Sequence, residues 1–472
     1  MSTITTIITE INSLLWDNVL IYALLGLGLY FTARLGFVQF RNFGEMIRLA
    51  LSSDDSDKEG ISPFQALAVS LASRIGTGNL AGVAVAISLG GPGAIFWMWV
   101  VALLGMGTAF AEAVLAQLYK THGPNGTYRG GPAFYMARGM KMPKLGYVFA
   151  IVMIFAFGLI FNAVQGNAIA ESMERAFAFP KLNTGVVLAI ATGLVIFGGF
   201  RQITRVASIL VPFMAVGFIA VTLWIMAVNI TEVPHILKEI VLGAFGLQEA
   251  VGGVAGGMMA ALINGVIRGL FSSEAGMGSA PNIAASATPV PHHPASQGYV
   301  QMLGVFVDTM LVCTATAVMI LLADAHLIEG VEGIAMTQAA ATHFMGPFGE
   351  YFIALSILLF AFTTIIACYT YAEAALIYMK LTSWIWMAIL RLAVMGFVIW
   401  GAVEAVLVVF LMADTTMGIL ATLNLFALAM MSGVVIKLGR DYRAQRAAGE
   451  TPTFHIADHP DMADGVEADI WK

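Results

Sequence analysis

The 472-residue chain is 59% hydrophobic and only 11% charged, with a mean hydropathy of +0.85. Soluble domains carry about 25% charged residues, so this composition excludes a soluble globular protein, and no nucleic-acid partner is expected. The net charge of −6 says little about partners, since much of it lies in Asp458, Asp461, Asp464, Glu467 and Asp469, beyond the last apolar run.

The first Lys or Arg is Arg34, so the N-terminus lacks the basic start of a cleaved signal. Runs such as "NVLIYALLGLGLYFTA" and "YVFAIVMIFAFGLIF" approach the roughly 20 residues that cross a ~30 Å hydrocarbon core. They do not alternate, which argues for helices and against a barrel. Eleven spans are predicted, at 15–37, 64–89, 93–118, 145–167, 183–200, 206–229, 248–275, 298–323, 350–379, 385–411 and 415–438. The segment 38–60 has an amphipathic start and a charged end, and is expected at the membrane interface.

One set of connections carries Arg34, Arg41, Arg48 and Lys58, then Lys120, Arg129, Arg138, Lys141 and Lys144, then Arg201, Arg205 and Lys380. The end of the last span adds Lys437, Arg440, Arg443 and Arg446, whereas the alternate connections hold only Arg175, Lys181 and Lys238. The positive-inside bias puts the N-terminus outside and the C-terminus in the cytoplasm of a multi-pass cell-membrane protein.

Without the first span, the remaining ten divide into two fives of opposite topology. The domains are then 1–60 (first span and interfacial segment), 61–229 and 230–438 (inverted five-helix repeats) and 439–472 (an acidic tail expected to be disordered and solvated). Each repeat opens on a helix interrupted by glycine, "SRIGTGNLAG" in the first and "GVIRGLFSSEAGMGSAP" in the second. Paired interruptions of this kind point to the binding site of a secondary transporter. Broken backbone must face protein or water, and there its N–H groups suit a carboxylate and its carbonyls a cation or ammonium group.

"GTGNLA" also matches a dinucleotide-loop pattern, but no strand precedes it and no acid occurs between residues 60 and 111. Close helix packing explains Gly82, Ala84 and Ala86, but not Arg74, Thr77 and Asn79. Ionisable residues within spans are functional candidates by default. Glu112 and Asp308 lie in spans three and eight, Arg74, Arg268 and Glu274 flank the interruptions, and Glu373 and Arg391 lie towards the cytoplasmic side. These charges are expected to gate the pathway or to form internal ion pairs that fix packing, with direct substrate contact as the alternative. Gln165 in span four could aim its amide at a central cavity. Thr363 and Thr364 in span nine either bond back to their own helix or offer oxygens to a small cation. Neither Cys313 nor Cys368 has metal-ligand spacing, the histidines all fall in loops or the tail, and no nucleophile–base arrangement is visible. Neither an enzyme nor a cofactor is expected.

The stretch from "GTGNLAGVAVAISLGG" to "AEAVLAQLY" resembles the signature region of the alanine or glycine:cation symporters, also called sodium:alanine symporters. "RGGPAFYM", "GGFRQITRVASILVPFMA", "VIRGLFSSEAGMGSAP" and "VFVDTMLVCTATAVMI" extend the resemblance, in order, across residues 60–438. The resemblance implies an all-α LeuT-type fold of 5+5 inverted repeats with one extra N-terminal helix. It also implies Na⁺-coupled uptake of alanine, glycine or similar small neutral amino acids; the rival expectation is H⁺ coupling with Glu274 or Glu112 as the carrier. Thr77, Gly78 and Asn79 would meet the substrate carboxylate, and Gln165 would be a further contact. The second interruption would contribute Phe271, Ser272, Ser273, Gly276 and Met277, with Ser273 where the family pattern has Asn. "CYTYAE" also departs from the aromatic pair before Gly-Glu that is usual there. By analogy within the fold, Na⁺ would take the carbonyls of Ala72 and Ile75 and the hydroxyls of Thr363 and Thr364.

Overall fold

The computed structural model describes residues 10, 12–52, 60–124, 126–247 and 254–472. Lys58 and the start of the seventh expected span lie outside the described residues. The first helices are α1 (Ile21–Arg34), α2 (Val38–Arg41) and α3 (Phe43–Ala50). The helix α3 buries Met46 and Leu49 and exposes Ile47 and Arg48, the two-faced pattern of an interfacial segment.

Helix α4 (Pro63–Arg74) starts on a capping box. The Ser62 hydroxyl accepts from the Gln65 N–H, the Gln65 side chain accepts from the Ser62 N–H, and Pro63 occupies the first turn. The helix stops at Ile75, whose ψ of 88° is not helical. A π-helical turn, Gly78–Gly82, leads into α5 (Val83–Gly90). Next come α6 (Gly93–Leu118), a hairpin of β1 (Thr121–Gly123) and β2 (Thr127–Arg129), and α7 (Pro132–Arg138). Helix α8 (Pro143–Met153) runs through the π-helical stretch Ile154–Ile160 into α9 (Phe161–Phe177). Helices α10 (Lys181–Ile196), α11 (Gly199–Val228) and α12 (Val233–Ala244) follow.

The second interruption follows α13 (Val254–Ser273). There Glu274, Gly276 and Gly278 have φ of 55°, 100° and 79°, so the chain cannot continue as a helix. It re-forms as a single turn, α14 (Pro281–Ala284), before α15 (Pro294–Val305), a π-helical stretch Phe306–Cys313 and α16 (Thr314–Leu322). The last helices are α17 (Ile334–Met345), α18 (Pro347–Tyr378), α19 (Trp384–Val403), α20 (Val406–Met430) and α21 (Ser432–Ala447).

Among the described residues, seven helices are long and apolar enough to span a bilayer, and they correspond to expected spans three, four, six and eight to eleven. The first and fifth spans are the shorter α1 and α10, and the second is divided at its interruption. Large apolar side chains on long helices are turned outwards, with Leu194 and Phe213 each 73% exposed. Polar side chains including Thr77, Asn79, Gln165 and Asp308 are buried. That distribution suits a lipid solvent and a polar interior.

Two expectations are corrected. The connection between spans ten and eleven is Glu404–Ala405, not 412–414. Asp414 falls in that expected connection, but it lies within α20, where the following Thr415 and Thr416 bond back to the carbonyls of Leu411 and Met412. The acidic tail is not a solvated end. Trp471 and Phe454 are fully buried, and Trp471 packs edge-on against Phe454. The backbone is tied in by Phe454 N–H to His292 O and Ile456 N–H to Trp471 O. The acids counted as a solvated run pair with basic loops, Lys437–Asp461, Lys141–Asp464, Arg138–Glu467 and His122–Asp469. Four apolar anchors spaced among the acids, Phe454, Ile456, Met462 and Ile470, explain why charge alone misleads.

Candidate functional site

The first interruption places its backbone donors inwards. Thr77 directs both its N–H (3.0 Å) and its hydroxyl (2.7 Å) to a single oxygen, Oε1 of Gln165 on α9. The Gly76 N–H is taken by Oδ1 of Asn79 at 2.9 Å. Gly76 is the position where glycine is obligatory. A Cβ there would lie 2.4 Å from Oγ1 of Thr364 and 2.9 Å from Oε1 of Gln165.

The two interruptions touch. A Cβ on Gly78 would lie 3.1 Å from Cδ1 of Phe271 and 3.2 Å from Cα of Ser272. Between them stands Asp308, fully buried. Its Oδ1 accepts from Nδ2 of Asn79 at 2.7 Å, and its Oδ2 accepts from Ser272 at 2.8 Å and Thr309 at 2.7 Å. Asp308 therefore joins the first interruption to the second through hydrogen bonds.

The second interruption is bound differently. The Gly278 N–H donates to Oε1 of Glu112 at 3.0 Å, and Asn424 on α20 donates to the same oxygen and to Gly276 O. Glu274 accepts from Ser279, with the Tyr371 hydroxyl at 3.5 Å. That hydroxyl also meets Ser73 at the end of α4. Ser273 is buried and accepts from its own neighbour Ala275 N–H at 3.4 Å. Gly276 faces Leu24 and Leu425, and Met277 is fully buried. Arg74, 2% exposed, gives one hydrogen bond to Gln301 O, and its Nε and Nη2 find no partner among the described residues.

At the expected cation position the two threonines part company. The Thr364 hydroxyl lies 2.9 Å from Ala72 O and 3.5 Å from Ile75 O, and also 3.0 Å from Phe360 O of its own helix. The Thr363 hydroxyl is turned to Phe360 O and Sδ of Met214. The four-residue set read from sequence narrows to Ala72, Ile75 and Thr364 in this arrangement. No group of three His, Cys, Asp or Glu side chains is placed to hold a metal among the described residues.

Several neighbours escaped the sequence reading. Phe161, Phe271 and Phe410 stack in series, with centroids 4.9 and 5.9 Å apart. The Arg268 guanidinium lies 5.7 Å from the Phe271 ring and 5.5 Å from the Phe410 ring, and pairs with Asp414. The rule that picks out Glu112 would have picked out Asp414, had the span boundary not put it in a loop. Tyr371 and Asn424 carry no charge, and only the fold brings them to the interruptions.

The matches to known proteins decide the class. The family described as the sodium:alanine symporter family matches residues 1–456. The chain belongs to that family. It is therefore a membrane transporter and not an enzyme. The amino-acid carrier protein AlsT of Bacillus subtilis is 45% identical over 96% of this chain and 95% of its own length. The probable sodium/glutamine symporter GlnT of Bacillus subtilis is 43% identical, covering 94% and 92%. The sodium/alanine symporter AgcS of Methanococcus maripaludis is 39% identical, covering 91% and 95%. A sodium:alanine symporter family member needs a place for an amino acid and a place for a cation. The two interruptions are where buried polar groups converge.

Proposed function

We propose that this protein is a Na⁺-coupled symporter that brings a small neutral amino acid, alanine or glycine, into the cell by alternating access. The observation that carries the reading is the pair of Thr77 donors held on one neutral amide oxygen of Gln165. A substrate carboxylate supplies better acceptors than an amide, since charge-assisted hydrogen bonds are roughly twice as strong as neutral ones. Binding would exchange Gln165 Oε1 for a carboxylate oxygen and free the amide to contact the substrate. The close approach of Gly78 to Phe271 and Ser272 supports a small substrate side chain.

The LeuT-type arrangement of eleven spans, with the N-terminus outside and the C-terminus cytoplasmic, supplies the framework. Na⁺ would bind the carbonyls of Ala72 and Ile75 and the hydroxyl of Thr364, and its charge entering the cell contributes about 2.3 kcal/mol per 100 mV. Phe271, Phe410 and the Arg268–Asp414 pair would form one barrier of the pathway, opening and closing as the repeats rock. Charge favours cation coupling. Glu112, Glu274 and Asp308 are buried carboxylates, and Arg74 is the buried guanidinium that neighbours them. Buried charge of one sign requires a counter-ion or protons.

The same excess supports H⁺ coupling through Glu274 or Glu112 as the alternative. Uptake in proteoliposomes under an imposed Na⁺ or H⁺ gradient separates the two, across glycine, L-alanine, D-alanine, serine and glutamine. Accumulation driven by H⁺ and indifferent to Na⁺ would overturn the Na⁺ reading. Glutamine preferred to alanine would overturn the small pocket.

A further inference from the structure

A second polar cavity, away from the interruptions, lies where helices α2, α3, α15 and α21 meet. Its volume is about 590 Å³. Four arginines line it, Arg41, Arg440, Arg443 and Arg446, against one acid, Glu45. That acid is already engaged. Arg48 grips it with two hydrogen bonds of 2.6 and 2.8 Å, and Tyr442 donates to it at 2.6 Å. Its pKa is held below the ordinary value, the hydrogen bonds and cations outweighing partial burial, and among the cavity arginines Arg446 pairs with it at 3.4 Å. Arg443 is fixed by bonds to Gly439 O and Leu35 O. Arg41 and Arg440 are exposed and make no hydrogen bond or ion pair among the described residues.

Tyr299 is an independent pointer to a ligand. It is fully buried, lines this cavity, and its hydroxyl has no hydrogen-bond partner among the described residues. A buried hydroxyl without a partner is unfavourable, so the site is incomplete as a purely internal structure. An anion held by the arginines would give that hydroxyl its acceptor.

The surroundings identify the source of the anion. On α2 and its turn, Phe37 and Phe40 are 52% and 60% exposed, and Leu51 just after α3 is 70% exposed. In a membrane transporter such side chains face acyl chains, which puts Arg41 at headgroup depth. A phosphate there would be neutralised by arginines while its acyl chains lay along Phe40 and Leu51. Basic pockets at this level of a membrane protein bind anionic lipid headgroups.

We propose that this cavity binds the phosphodiester headgroup of an anionic glycerophospholipid, with Arg41, Arg440, Arg443 and Tyr299 as its ligands. The site is distinct from the transport pathway, so its test needs no transport. Native mass spectrometry of the detergent-purified protein, mixed with equal amounts of phosphatidylglycerol and phosphatidylcholine, counts the bound lipid. The wild type should retain phosphatidylglycerol in clear preference. The double variant Arg41→Gln/Arg440→Gln should lose at least about tenfold in affinity, which is about 1.4 kcal/mol. Tyr299→Phe should weaken binding less, without changing the selectivity. Arg201→Gln/Arg205→Gln, two exposed arginines elsewhere, should bind as the wild type does. Equal retention of the two lipids would overturn the proposal, as would unchanged binding in the Arg41/Arg440 variant or equal loss in the Arg201/Arg205 variant. Displacement of the lipid by millimolar inorganic phosphate would mark a soluble-anion site and also overturn it.

Discussion

At Ile75–Asn79 the freed backbone is held by neutral side chains, Gln165 and Asn79; at Glu274–Gly278 it is held by the carboxylate of Glu112 and the amide of Asn424. The sequence presents these as matching halves of one device. Their chemistry differs in what each can exchange. An amide oxygen that accepts two donors can give way to a carboxylate, because the incoming acceptor is stronger and Gln165 can turn. A carboxylate buried against an N–H and an amide cannot leave without stranding both. The first interruption is thus suited to bind and release, and the second to keep its shape.

The largest expected effect comes from removing the fixed side. Glu112→Ala strands the Gly278 N–H and the Asn424 amide, and each stranded group costs about 1–3 kcal/mol. Thermal unfolding in detergent should show a loss of several kcal/mol and a low folded yield. Glu112→Gln, which keeps an acceptor, should recover much of the stability. A Glu112→Ala protein as stable as the wild type would remove the distinction between the interruptions.

The exchangeable side should respond in affinity and not in stability. Thr77→Val keeps the backbone bond to Gln165 but deletes one donor to the substrate. Hydrogen bonds to charged groups are worth about 1.5–3 kcal/mol, so the KM for uptake should rise roughly 10- to 150-fold. Unfolding should shift by less than about 1 kcal/mol. An unchanged KM would place the carboxylate elsewhere.

The paired threonines sharpen the same comparison at the cation position. Both hydroxyls bond back to Phe360 O, but Thr364→Val also removes a reach to Ala72 O that Thr363→Val leaves untouched. The Na⁺ concentration for half-maximal uptake should rise about tenfold for Thr364→Val, the loss of about 1.4 kcal/mol of ligation. It should stay near the wild-type value for Thr363→Val. Equal effects would mean that both hydroxyls turn to the ion.

Much of this was legible beforehand because glycine leaves a mark that apolar runs do not hide. Gly76, Gly78, Gly276 and Gly278 locate both interruptions, and the family pattern adds Thr77 and Gln165. Partners that carry no mark were not legible. Asn424 and Phe410 are unremarkable in an apolar helix, and Asp414 fell in the supposed connection 412–414, which is part of α20. The two threonines are equivalent in sequence, and only the helix rotation of α18 separates them. The tail failed for another reason. Composition weighs its acids, whereas burial is decided by Trp471 and Phe454.

The tail offers the smallest effect and a link back to the fixed interruption. The strand of chain after α14 carries His292, whose carbonyl receives the Phe454 N–H, and His293, whose Nε2 meets Asp441 at 3.1 Å. Further back, the same segment bonds to the start of α4, Ile61 N–H to Ser286 O and Thr288 N–H to Ile61 O. Tail, second interruption and the start of α4 are therefore joined along one stretch of backbone. Burial lowers the pKa of His293 despite its bond to Asp441. A released tail would expose the ring and return it towards about 6.5. Docking is then fully favoured above that value and weakens as the pH falls below it, because the exposed imidazole takes up a proton first. Asp441, Asp461 and Asp469 are held low by their His or Lys partners, so their contributions are lost only as the pH falls below about 4. Limited proteolysis after Phe454 and Trp471 should therefore accelerate modestly between pH 7 and pH 5.5, and His293→Asn should flatten that dependence. Acceleration that survives in His293→Asn would assign it to another group and detach the tail from the segment behind the second interruption.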